Sequence, residues 1–147
     1  PHRVVWPDLA RRLTAAALIP AQGGQLIPLN SCYVLPVPDP STALALSAWL
    51  NSTWLRALAR ATADVAAGGF ARFNARVIAE LPLPAGVLAD RELVRLAERG
   101  GTGEEVQEEL DAVCAEHLAL PAAIRELLAR SAGGDSDHRG GRPHRDP

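Results

Sequence analysis

The sequence predicts an α+β fold: a small mixed sheet with a long packed helix, followed by a C-terminal helical hairpin or triplet. Three observations carry this. Short runs of β-branched and aromatic residues lie before position 40, leucines and tryptophans recur at helical spacing from Leu44 to Leu58, and past Pro84 capped helical stretches alternate with glycine pairs and a proline.

The elements follow in order. Arg3-Val4-Val5-Trp6-Pro7 reads as a short strand, ended by a proline that cannot continue ladder pairing. Residues 8–18 fit a helical turn or a second extended piece. After the turn signal Gly23-Gly24, residues 25–37 suit one or two strands bent around Pro28-Leu29-Asn30, and the run Pro36, Pro38, Pro40 stops them. Asp39 or Ser41 caps the long helix, which reaches about Ala63. Asn51-Ser52-Thr53 competes for backbone hydrogen bonds in its middle, so a break with Ser52 as a new cap is expected there. Gly68-Gly69 ends that region, and residues 70–78 read as extended, leading to Leu81-Pro82-Leu83-Pro84. Asp90 caps a helix stopped by Gly100-Gly101, Thr102-Gly103-Glu104-Glu105 forms a capping box for the next, and Pro121 opens a third. From Gly133 onward the apolar residues needed to offset ordering entropy are missing, which predicts a disordered tail. The expected organisation is therefore an α+β region over 1–84, a helical extension over 85–132 and a tail over 133–147.

Composition narrows the function. The chain has 147 residues and a formal charge of −2, enough for one compact domain or a domain with an appendage. All fifteen basic residues are arginine, which removes Schiff-base chemistry and the P-loop lysine at once. Methionine is absent too, and the expectation is a piece of a longer protein. Cys32 and Cys114 form no C-x-x-C pair, so zinc-ribbon and redox motifs drop out and two free thiols are expected. No apolar stretch is long enough for a membrane span and the start lacks a signal-peptide core, so the expected location is cytoplasmic. Charge separates the halves: seven arginines face four acids up to Pro84, a net of +3, whereas eight face thirteen afterwards, a net of −5. The first part suits a polyanion and the second a solvated helical cap.

No catalytic, cofactor-binding or metal-binding constellation stands out. G-x-S-x-G, H-E-x-x-H and P-loop patterns are missing, and His117 reads as a locally satisfied helix-face histidine. The acid run Glu104, Glu105, Glu108, Glu109 and Asp111 reads as a solvated helix face. Arg72, Asn74 and Arg76 are more informative. At two-residue steps in a strand they would share one face, and Arg and Asn carry the planar donor and acceptor sets that match base edges. Arg3, Arg11 and Arg12 would add phosphate contacts. The plainer alternative makes Phe70, Phe73 and Val77 core, with Arg72 and Arg76 solvated or paired to Glu80.

These residues also form an ordered set. Val4-Val5-Trp6-Pro7-Asp8-Leu9-Ala10-Arg11, Ile27-Pro28-Leu29-Asn30-Ser31-Cys32-Tyr33-Val34-Leu35, Leu50-Asn51-Ser52, Gly68-Gly69-Phe70-Ala71-Arg72-Phe73-Asn74 and Leu81-Pro82-Leu83-Pro84 succeed one another over more than half the chain. Together they resemble the C-terminal target-recognition region of N6-adenine DNA methyltransferases, the TaqI-like specificity domain of restriction-modification enzymes. The resemblance implies a strand-and-helix domain that binds double-stranded DNA and selects the methylated sequence. A separate catalytic domain would bind S-adenosylmethionine and hold the flipped adenine. This chain has no Asn-Pro-Pro-Tyr or Asp-Pro-Pro-Tyr motif and no glycine-rich cofactor loop, so alone it is not expected to methylate DNA or to hold a cofactor. The alternative function is a helical protein-interaction or structural fragment whose Trp49, Trp54 and leucine-rich faces dock on a partner.

Overall fold

The structure, a computed structural model, describes residues 2–20 and 31–133, with side chains through Arg130. The predicted turn at Gly23-Gly24, the bend at Pro28-Leu29-Asn30 and the tail beyond Gly133 lie outside the described residues.

The α+β expectation is met, with two small antiparallel sheets in place of one mixed sheet. In the first, β1 (His2–Pro7) lies between β3 (Ala16–Leu18) and β4 (Cys32–Val37). Its register places Val4 opposite both Ala17 and Leu35. Alternation along β1 buries Val4 and Trp6 on one face. Pro36 does not stop β4 but lies inside it, tolerated because β4 is an edge strand of that sheet. In the second sheet β6 (Ala71–Arg72) runs between β2 (Leu9–Ala10) and β5 (Asp64–Val65), aligning Leu9, Arg72 and Asp64.

The long helix is two helices. Asp39 caps α1 (Pro40–Leu50), accepting from the Thr42 N–H at 2.7 Å. The chain breaks at Asn51, and the buried Ser52 hydroxyl then caps α2 (Thr53–Thr62) by accepting from the Leu55 N–H. Ser52 Oγ also donates to the Trp49 carbonyl, so both helix ends are satisfied by one side chain.

Of residues 70–78 only Ala71 and Arg72 pair as a strand. Phe73 is fully buried, its carbonyl accepts from Trp6 Nε1 at 2.8 Å and its N–H donates to the Asp8 carbonyl. Ladder pairing ends there. Asn74 then accepts from the Val77 N–H and caps α3 (Ala75–Ala79).

Three helices follow: α4 (Arg91–Gly101), α5 (Gln107–Leu118) and α6 (Ala122–Gly133). Asp90 caps α4 as expected, and α4 continues through the glycine pair instead of stopping before it. The predicted capping box does not form. Thr102 Oγ1 donates back to the Arg99 carbonyl, while Glu105 accepts from the Gln107 N–H. Nor is the acid run simply solvated: Arg99 binds Glu104 and both oxygens of Glu109, fastening the end of α4 to α5.

The core is continuous across Pro84. Val4, Trp49, Leu55 and Phe73 belong to one buried cluster with Val87, Leu93, Leu96, Leu110 and Cys114. All three tryptophans donate their indole N–H to a remote carbonyl: Trp6 to Phe73, Trp49 to Pro82 and Trp54 to Asp111. Trp49 and Trp54 are 1% and 7% exposed, so they bind this chain together and offer no docking face. Cys32 and Cys114 are free thiols, and burial pushes the Cys114 thiol up to about 12, which leaves it unreactive.

His117 Nε2 lies 2.6 Å from Asp90 Oδ2, and its ring meets Trp49 edge-on. Burial raises the Asp90 carboxyl, but hydrogen bonds from His117 and the Glu92 N–H outweigh it and hold the group below its ordinary value of 3.8. A carboxyl depressed by folding stabilises the protein above its unfolded value and loses that contribution as pH falls through the folded one. Asp90→Asn is therefore expected to flatten the acid limb of a urea-stability profile between about pH 5 and about pH 2. An unchanged acid limb would contradict the assignment.

Candidate nucleic-acid interface

Residues 11–15 form an unusual non-helical segment. Sheet neighbours do not satisfy its backbone; side chains of the helical pair do. Arg60 Nη1 donates to the Arg11 carbonyl at 2.8 Å, Arg56 Nε donates to the Leu13 carbonyl at 2.8 Å, and the Asn51 carboxamide both accepts from the Ala15 N–H and donates to the Ala15 carbonyl, each at 2.8 Å. The spacing has a geometric reason. Two residues of extended chain advance about 6.7 Å, and four residues of helix advance about 6 Å, so the Arg11 and Leu13 carbonyls meet Arg60 and Arg56 on successive turns of α2, while Asn51 at the helix break reaches Ala15.

This brace sets which side chains turn outward. Leu13 and Ala15 are buried, whereas Arg12 before them and Thr14 between them are exposed. The Arg11 guanidinium lies over the Phe70 ring, 5.0 Å from its centroid. Phe70 follows the turn of Gly68 and Gly69, whose φ values of +73° and +79° suit glycine. Arg60 Nη1 also donates to the Gly69 carbonyl, so one helical arginine ties that turn to residues 11–15. Arg11 and Arg60 thus meet at the turn leading into the second sheet, with Arg72 on its central strand, while Arg56 braces Leu13 further along.

The other expected site residues are placed differently. Arg72 is exposed and pairs with Asp8 at 3.0 Å. Arg76 sits on α3 and reaches Glu80 at 3.5 Å, as in the plainer alternative. Asn74 commits its carboxamide oxygen to the α3 cap. Arg72, Asn74 and Arg76 therefore do not form one alternating row, because the Asn74 cap turns the backbone into a helix. Arg3 stands in the first sheet, between Leu18 and Pro36, and not beside Arg11. None of Arg11, Arg12, Arg72 and Arg76 is buried in the core or paired with the acidic residues of α4 and α5.

Arg56 and Arg60 escaped the sequence reading because an arginine within an amphipathic helix ordinarily signals only a solvated face. Their four-residue spacing on one helix was the available signal.

For S-adenosylmethionine, the described residues do not fit a cofactor loop: Gly68 and Gly69 lead into β6 and not into a helix N-terminus. Among the described residues, no group of His, Cys, Asp and Glu is placed to hold a metal ion, and no helix is long and apolar enough to cross a membrane. Comparison with known protein families, curated proteins and solved structures finds no match to this chain.

Removing a brace and removing a surface charge should differ in stability. Arg60→Ala deletes donors to two carbonyls and is expected to cost about 1–2 kcal/mol in urea unfolding. Arg72→Ala breaks only an exposed ion pair and should cost less than about 1 kcal/mol. Equal costs would show that the brace is not holding the segment.

Proposed function

We propose that this chain is the DNA-binding specificity region of an S-adenosylmethionine-dependent, adenine-specific DNA methyltransferase, of restriction-modification or phage-defence type, acting in the cytoplasm with a catalytic domain elsewhere in its parent protein or in another chain. The observation that carries the reading is the ordered set of motif residues together with the exposed arginines beside them. Arg11, Arg12, Arg72 and Arg76 are accessible, and two of them are fixed on a segment braced to α2.

In this role the arginines neutralise phosphates and orient the duplex, while the cofactor domain supplies methyl transfer to the extruded adenine. The weak pairs of Arg72 with Asp8 and Arg76 with Glu80 are solvent-exposed, so exchanging a carboxylate for a phosphate costs little. The acidic helices serve a different purpose, closing the core and fastening the α1–α2 junction.

The alternative, a protein-interaction fragment without direct DNA contact, rests on Ile124 and Leu127, which are 41% and 56% exposed on α6. Duplex binding distinguishes the two. Affinity should fall steeply with salt, the log–log slope steepening by about 0.9 for each phosphate neutralised. Arg11→Ala, Arg12→Ala and Arg72→Ala combined should flatten that slope by about 2–3 units. Salt-independent binding, or no binding even with the catalytic half supplied, would refute the DNA reading.

A further inference from the structure

A cleft of about 400 Å³ opens between β3, α1, α2, α4 and α5. Its size lies in the range of small-molecule sites. Leu44, Leu96 and Leu110 line its apolar part, and Asn51, Arg56 and Gln107 supply its polar groups.

Arg56 is distinctive among these. Arg72, Arg76, Arg95 and Arg99 each bind a carboxylate, whereas half-buried Arg56 has no carboxylate within ion-pair distance among the described residues. Its Nε is committed to the Leu13 carbonyl. The terminal nitrogens reach only neutral oxygens, Gln107 Oε1 and Asn51 Oδ1, each at a long 3.4 Å. Asp111, whose charge acts on Arg56, is already engaged by the Thr53 N–H, the Thr53 hydroxyl and Gln107 Nε2. Burial, reinforced by the neighbouring Arg12 charge and only partly offset by Asp111, pulls Arg56 down to about 10. A desolvated cation without a counter-ion is costly, and an anion brought to it removes the cost.

We infer that this cleft binds a small organic anion, a carboxylate, phosphate or sulfonate carried on a compact apolar body, with the Arg56 guanidinium as its counter-ion and the leucine-lined wall receiving the body. The site borders residues 11–15, with Ala15 in its lining and Arg12 near Arg56, but its ligand chemistry does not depend on the duplex reading. Gly101 borders the cleft, and a Cβ placed there meets nothing within 4 Å, so a larger side chain at this position enters open space.

The probe is 1-anilinonaphthalene-8-sulfonate titrated into the full chain, followed by its fluorescence and by amide chemical shifts. Saturable one-site binding is expected, with shifts concentrated at Ala16, Gly101 and Gln107. Arg56→Gln and Gly101→Leu should each weaken it at least tenfold while the near-ultraviolet dichroism of the tryptophans is unchanged. Should Arg56→Gln disturb that dichroism, the neutral analogue N-phenyl-1-naphthylamine decides: it should bind the wild-type chain at least tenfold more weakly than the sulfonate. Absent binding, equal binding by both variants, loss in only one well-folded variant, or equal affinity for the neutral analogue would each overturn the inference.

Discussion

The structure depends on the way residues 11–15 are held. Arg60, Arg56 and Asn51 reach from the α1–α2 pair to the Arg11, Leu13 and Ala15 backbone, supplying hydrogen bonds that a neighbouring strand would ordinarily provide. Everything around them converges on the same point. Ser52 restarts the helix, Asp111 from α5 binds the Thr53 N–H and hydroxyl, and Gln107 donates to the Asn51 carbonyl. A break in the helix is thus what allows Asn51 to face the extended segment, and the acidic extension secures that break.

The same geometry gives the motif residues a physical meaning. Trp6 ties the first sheet to Phe73, Asn51 and Ser52 build the helix junction, Gly68 and Gly69 make the left-handed turn under Arg11, and Asn74 caps α3. These positions maintain architecture. The arginines between them carry the exposed charge. This division explains why stability and recognition are expected to respond to different substitutions.

Much of the architecture was legible because its signals are local. The helix break at Ser52, the Asp39 and Asp90 caps and the helices after Pro84 follow from side chains that satisfy nearby backbone groups. The strand expected over 70–78 ends after Arg72, because alternation of Phe and Arg cannot reveal that Phe73 is claimed by Trp6, 67 residues away. Two sheets were likewise illegible as such, since two-residue strands are defined by their partners and not by their composition. At the candidate interface, Arg11 and Arg12 were readable as exposed charges. The bracing arginines were not, because their role exists only once the helix packs against a non-local backbone.

The most direct test is hydrogen–deuterium exchange of the full chain with and without duplex DNA at low salt. The account predicts added protection at residues 11–15 and 67–73, with little change in α4 and α5. Protection confined to those acidic helices, or none at the braced segment under saturating duplex, would contradict the assignment of this surface to nucleic acid.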